Sequence, residues 1–274
     1  MLVARYTGEV YFLASIAFCF GAIIGSFLNV VVLRLNSGRT LSGRSQCFSC
    51  GRALEAVDLI PILSYVFLRG RCRTCGSHVS LQYPLVELTT ALLFLGVYLH
   101  GGGVIEMAFL FTTMSFLVAI GAYDVRHKII PDTLVYPLIA ITFIYAGFNS
   151  YRLASYEPLI TALVSALIMA VPLYLLWRFS RGRAMGLGDG KLALALGAIL
   201  TPAEALSSFV FAFWGGALVG IIMLIVARTS LRIGTAALTM KSEIPFAPFL
   251  IVATVGVILF GAKLPFLDIY FHAL

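Results

Sequence analysis

Charge is scarce in this sequence. Of its 274 residues, 11% are Asp, Glu, Lys or Arg, and just 12 residues are acidic. A soluble chain of this length could not cover its surface so sparsely, because hydrophobic residues make up 61% and the mean hydropathy is +1.01. There is no internal repeat and no low-complexity segment. A glycine-rich nucleotide loop of the Rossmann type is also missing, so no cofactor site can be read from a motif of that kind. Nor does the amino-terminal region resemble a removable leader. Its apolar run, Val10 to Leu33, is 24 residues long, whereas signal-peptide cores span roughly 7–15 and precede a small-residue cleavage site. This run passes Asn29 and meets Arg34 instead, which predicts a retained anchor. What remains is a membrane chain.

Apolar runs long enough to approach the ~20 residues of a membrane span fall near residues 10–33, 84–100, 104–123, 133–149, 157–178, 190–201, 204–227 and 245–262. The predicted fold is therefore an all-α polytopic membrane protein with about eight transmembrane helices. The run at 190–201 is short for a crossing. Counting it makes the loops alternate sides, and the basic residues then segregate. Sixteen of nineteen Lys and Arg fall on one side, leaving only Arg5, Arg152 and Lys263 on the other. Short basic loops stay cytoplasmic, so both termini are expected to face outward. The net charge of +7 is thereby a topology signal with secondary contact to anionic lipid, and nucleic acid is not an expected partner.

One polar insertion interrupts the pattern. The chain divides into a first transmembrane helix (1–34), a cytoplasmic module (35–83) and a transmembrane domain (84–274). The module carries Cys47-Phe-Ser-Cys50 and Cys72-Arg-Thr-Cys75. Two thiolates bracketing two residues can grip one ion from a tight turn, and the separation of the two pairs suits a zinc ribbon. Gly51 and Gly76 directly follow each pair, where a knuckle turn needs φ > 0. So small a module cannot hold itself by burial alone, which makes a Zn2+ staple physically reasonable. Two disulfides are the alternative, disfavoured by a reducing cytoplasm. Cys19, mid-helix among small and apolar neighbours, reads as packing.

Two acids stand at predicted helix ends on the cytoplasmic side: Asp124, after an apolar run, and Asp189, within Gly186-Leu-Gly188-Asp189-Gly190-Lys191. Acids near the apolar interior are costly and usually serve a purpose. Two carboxyls brought close share a proton, giving a general base beside a general acid that can activate water against a peptide carbonyl. Gly186, Gly188 and Gly190 leave the backbone near Asp189 bare, so an extended substrate strand could approach it. Either acid has a plainer reading. Asp189 could cap a helix, and Asp132, after Pro131, is expected to do so.

These residues together resemble the type IV prepilin peptidases. The similarity runs through Gly25-Ser-Phe-Leu-Asn29-Val, both cysteine pairs, Asp58-Leu-Ile-Pro-Ile-Leu-Ser-Tyr65 and Arg69-Gly-Arg71-Cys72. It continues through Tyr83-Pro-Leu-Val-Glu87, Asp124 with Ile130-Pro-Asp132, Gly186-Leu-Gly188-Asp189 with Lys191-Leu, and Ile244-Pro-Phe-Ala-Pro-Phe249. Ala247 stands where glycine is expected, and a proline-rich lead-in to Cys47 is absent. The resemblance implies a bifunctional enzyme of the bacterial inner membrane. It would cleave the leader of type IV prepilins or the pseudopilins of type II secretion, and N-methylate the new terminus with S-adenosylmethionine. It implies Asp124 and Asp189 as the catalytic pair and Cys47, Cys50, Cys72 and Cys75 as a metal or thiol cluster. Glu87 and Arg69 are the expected neighbours of the methyl donor. Glu55, Asp58, Glu87 and Asp132 are candidates to receive a basic leader. A peptidase-only preflagellin-like enzyme and a proton-coupled transporter with a zinc-binding module are the competing readings.

Overall fold

The structure is a computed structural model describing residues 2–37, 40, 42–183, 185–230 and 245–264. Arg39, Arg232 and Lys241 of the topology pattern, and Ile244 of the last motif, lie outside the described residues. Helices make up nearly everything described: α1 (Leu2–Arg34), α2 (Leu63–Phe67), α3 (Gln82–His100), α4 (Val104–His127), α5 (Asp132–Arg152), α6 (Glu157–Ser180), α7 (Leu187–Gly197), α8 (Pro202–Ser230) and α9 (Ala247–Phe260). A single 3-10 turn, Ala56–Leu59, precedes α2. All eight apolar runs of the sequence are helical. Six helices among the described residues are long and apolar enough to cross a membrane: α1, α3, α4, α5, α6 and α8. The expectation of about eight spans is refined by the other two. α7 has 11 residues, about 16 Å at 1.5 Å per residue, roughly half of a ~30 Å hydrocarbon core. α9 has 14 residues.

The short run has a physical reason. Leu192, Ala193, Ala195 and Leu196 of α7 are all fully buried, so this helix is apolar because protein surrounds it. A long helix such as α8 instead leaves Trp214, Leu218, Ile221 and Ile225 exposed, a surface suited to lipid. Hydropathy alone does not separate those two environments.

The chain forms two compact units, Met1–Ala122 and Tyr123–Leu274, with the boundary inside α4. In the first unit α1 lies tightly on α3. A Cβ placed on Gly25 would stand 2.7 Å from the Cα of Glu87, and one on Gly21 would stand 2.8 Å from the Cα of Ala91. Phe94 stacks on Phe111 with ring centroids 4.4 Å apart. In the second unit α7 packs against α5, α6 and α9. Its closest approach is at Gly197, where a Cβ would run into the carbonyl oxygen of Ser165 and come within 2.6 Å of the Ala166 Cα. Backbone cannot yield as a side chain can. Gly197→Ala is therefore expected to cost about 1–3 kcal/mol or more, read as a lower melting temperature in detergent. Gly147→Ala, with nothing within 4 Å of its added methyl, should not lower it. Equal melting of the two variants would refute the close approach.

Candidate active site and metal centre

Asp124 sits in the last turn of α4 and is 4% exposed. The helix ends three residues on, at His127. The Lys128 N–H closes onto the Asp124 carbonyl at 2.7 Å, and Lys128 takes φ 56°. Ile130 and Pro131 then turn the chain into α5. Asp189 lies in the first turn of α7 behind the extended Gly186, whose φ and ψ are -74° and 151°. Asp189 is thus the third residue of its helix, and its carboxyl reaches back to the N–H of the capping Gly186. The amino end of a helix favours a carboxylate there. The two acids lie near enough for the charge on Asp124 to act on Asp189.

A third element completes the site. Ala247 opens α9, is fully buried, and directs its N–H to the Asp124 carboxyl. One Asp124 oxygen, Oδ2, is buried and has no hydrogen-bond partner. A buried oxygen without a donor is costly in a finished core, and such an atom calls for an explanation. A proton or a water held between two acids would satisfy it.

The neighbouring polar residues have other tasks. Asp132, expected as a cap, is the first helical residue of α5, and Pro131 takes the cap position. The Asp132 carboxylate instead pairs with Lys191 Nζ at 2.7 Å, and that ammonium also lies 4.8 Å from the centre of the Tyr136 ring. This bridge ties the α4–α5 turn to α7. Of the three glycines expected to admit a substrate strand, Gly186 alone has exposed, extended backbone. Gly188 and Gly190 belong to α7. A Cβ on Gly188 would stand 3.0 Å from Ile130 Cβ, and Gly190 is buried with its nearest neighbour the Tyr174 nitrogen at 3.8 Å. At Gly188 the bareness serves packing, whereas a methyl on Gly190 would meet ordinary contact.

The first unit holds the cysteine module. Its two knuckles repeat one bonding pattern. Cys47 N–H donates to the Arg52 carbonyl and Cys72 N–H to that of Ser77, while Gly51 and Gly76 donate back to Cys47 and Cys72. Gly51 and Gly76 have φ 71° and 69°, which only glycine adopts without strain. A single antiparallel bridge closes each knuckle, Gln46 with Ala53 and Arg71 with His78. The four sulfurs lie within 4.8 Å of one another, and those of Cys47 and Cys75 are 3.8 Å apart. Four thiolates at ~2.3 Å around a tetrahedral ion would stand about 3.8 Å from each other. The donor set and spacing fit one metal ion. The N–H groups of Cys50 and Ser49, followed by the Ser77 hydroxyl, point at Cys47 sulfur and draw its thiol down to about 6. Ser77 likewise lowers Cys75. All five cysteines are free of disulfides, and Cys19, expected to pack, is exposed on α1.

The model of the bacterial peptidase A24 N-terminal domain matches residues 19–101, and that of the type IV leader peptidase family matches residues 111–224. The chain belongs to the type IV prepilin leader peptidase family. It is 32% identical over 285 residues to the prepilin leader peptidase/N-methyltransferase of Pseudomonas putida, covering 93% of this chain and 92% of the relative. The corresponding protein of Bacillus subtilis is 30% identical over 251 residues, with 90% and 94% covered. That of Myxococcus xanthus is 36% identical over 224 residues, with 80% of this chain and 65% of the relative covered. No solved structure matches.

In this leader peptidase the remaining expected residues separate. Glu87, 7% exposed on α3, accepts the Ile62 N–H at 2.7 Å. Arg69 is exposed in the turn after α2 with φ 50°. Among the described residues no hydrogen bond or ion pair joins the two. Asp58 does not stand free to receive a leader, because its 4%-exposed side chain lies 3.1 Å from Arg73 and 3.6 Å from Arg52. Sequence reasoning missed that neutralisation and missed the Ala247 N–H. The first signal was present, in the basic residues beside each cysteine pair; the second depends on chain far from Asp124 in sequence.

Proposed function

We propose that Asp124 and Asp189 are the catalytic dyad of a prepilin leader peptidase/N-methyltransferase acting on type IV prepilins or pseudopilins. The observation that carries this reading is the unpartnered, buried Oδ2 of Asp124 in the field of a second acid. One acid holds a proton while the other takes one from water, which adds to the scissile carbonyl. The proton then passes to the leaving amine as the bond breaks. The exposed, extended Gly186 is the point at which a substrate strand meets the backbone beside Asp189, with Gly188 letting α7 lie close to Ile130.

The division into helix 1–34, module 35–83 and membrane domain 84–274 assigns these tasks to separate segments. Cys47, Cys50, Cys72 and Cys75 hold Zn2+, which cross-links a segment too small for a core of its own. Basic loops hold the module and both acids on the cytoplasmic side of the bacterial inner membrane. A leader that stays in the cytoplasm then presents its scissile bond at the level of the dyad. S-adenosylmethionine supplies the methyl group, and the exposed Arg69 is a contact for its carboxylate. Purified protein given a prepilin and this methyl donor should release the leader and leave a mature chain one methyl group heavier by mass spectrometry. An unchanged substrate mass would overturn the reading.

A further inference from the structure

A second buried acid is left unused by peptide cleavage. Glu87 lies in the first unit, on α3, opposite Gly25 of α1. Its carboxylate has the Ser26 hydroxyl within hydrogen-bonding reach and takes the Ile62 N–H. Among the described residues it has no ion-pair partner. One turn further along α1 stands Asn29, 1% exposed. The Asn29 amide nitrogen donates to the carbonyls of Gly25 and Tyr83, which spends both its hydrogens. Its carbonyl oxygen, Oδ1, is buried with no partner. Ser26 and Asn29 are three apart on α1 and so share a face.

This cluster has more acceptors than donors. A carboxylate and an amide oxygen are buried together without a cation, and one backbone N–H, from Ile62, with the Ser26 hydroxyl does not balance them. Buried acceptors of this kind are stable when something supplies donors and positive charge.

The adjoining backbone is strained in the same place. Ile62 takes φ 61° and ψ -52°, a conformation a β-branched residue seldom adopts. It is the centre of a three-residue turn in which the Leu63 N–H meets the Pro61 carbonyl. Positive-φ γ-turns are rare and cost free energy. Here the turn aims the Ile62 N–H at Glu87. Pro61 and Ser26 also line a groove of about 270 Å3 with Ile23, Phe27, Val30 and Leu59. The groove is apolar along α1 and reaches the polar cluster at Ser26.

We propose that Glu87, Ser26 and Asn29 form the binding site for a primary ammonium at the head of an apolar segment, namely the amino terminus exposed when the leader is removed. The assignment rests on the methylation reading above. The groove takes the apolar residues, and the acceptors take the N–H groups. A sulfonium ion would suit the charge of Glu87 and yet offer no hydrogen to Asn29 Oδ1, so the cluster selects the amine. Glu87 is a positioning residue: it orients the nitrogen and gives its proton somewhere to go before that nitrogen receives a methyl group.

Binding tests this directly, without methyl transfer. The full chain in detergent is titrated with one short apolar peptide in three forms: free amino terminus, N-acetylated, and N,N,N-trimethylated. The free form should bind at least about tenfold tighter than both others, a difference of about 1.4 kcal/mol. Glu87→Gln keeps an acceptor for the Ile62 N–H and should abolish the preference. Ser26→Ala should reduce the preference by a smaller factor, and it decides the matter if Glu87→Gln proves unstable. Three forms binding alike, a trimethylated form binding as well as the free one, or a preference untouched by the variants would overturn the site. Wild-type protein that fails to cleave a prepilin would sink the peptidase reading and leave the peptide result standing.

Discussion

Asp124→Asn and Asp189→Asn should each lower prepilin cleavage by about a thousandfold or more, within the range that general acid–base groups contribute. Asparagine keeps the volume of aspartate and can still accept the Ala247 N–H at position 124 or the Gly186 N–H at position 189. The substitution therefore spares local structure and removes the ability to carry a proton. Because the acids work as one unit, the double variant should be scarcely slower than either single one. Asp132→Asn provides the contrast. That carboxylate is exposed and paired with Lys191, and its loss should leave cleavage within about twofold, as an exposed pair is worth little. Single-turnover cleavage of a purified prepilin, followed by mass, reads all four variants. Substantial residual cleavage in both single variants would remove the dyad, and collapse in Asp132→Asn would move the chemistry to the α4–α5 turn.

The acids were legible in the sequence because burial near an apolar helix leaves a composition signal. Asp124 closes a long apolar run and Asp189 opens one, so their positions relative to the helices follow from hydropathy. Hydropathy did not tell α7 from a membrane span. A helix buried in protein and a helix facing lipid are both apolar all round, and length alone separates them. The role of Asp132 was hidden for a related reason. A residue after proline reads as a cap, while its partner Lys191 lies 59 positions away. The glycines divide in the same manner. Gly51 and Gly76 were readable because their positive φ is demanded locally by each knuckle. Gly188 and Gly197 answer to Ile130 and to Ser165 and Ala166, which no local pattern announces. Local chemistry was visible in the sequence, and long-range contact was not.

Removing the zinc ion proposed at the four cysteines should have the second large effect, confined to the cysteine module. Among the described residues from 40 to 81, regular structure amounts to two single bridges, one 3-10 turn and the five-residue α2. The 3-10 turn and α2 bury no apolar residue. Arg52 and Arg73 clasp Asp58 across the two knuckles, and Arg52 also reaches Thr74 at 2.7 Å. These contacts need both knuckles already in place. Thiolate bonds to one ion would supply that placement, since metal binding in such modules is coupled to folding. Cys47→Ser or Cys72→Ser should weaken zinc affinity by more than the roughly 10–100-fold typical of losing an outer partner. Each should also open the loop to proteolysis between residues 40 and 81. A strong chelator should reproduce the cleavage pattern in wild-type protein, and added zinc should reverse it. Asp124 and Asp189 both belong to the second unit, so the effect on leader cleavage should be smaller than that of either aspartate variant. A loop equally resistant with and without zinc would mean that the arginine clasp holds the module unaided.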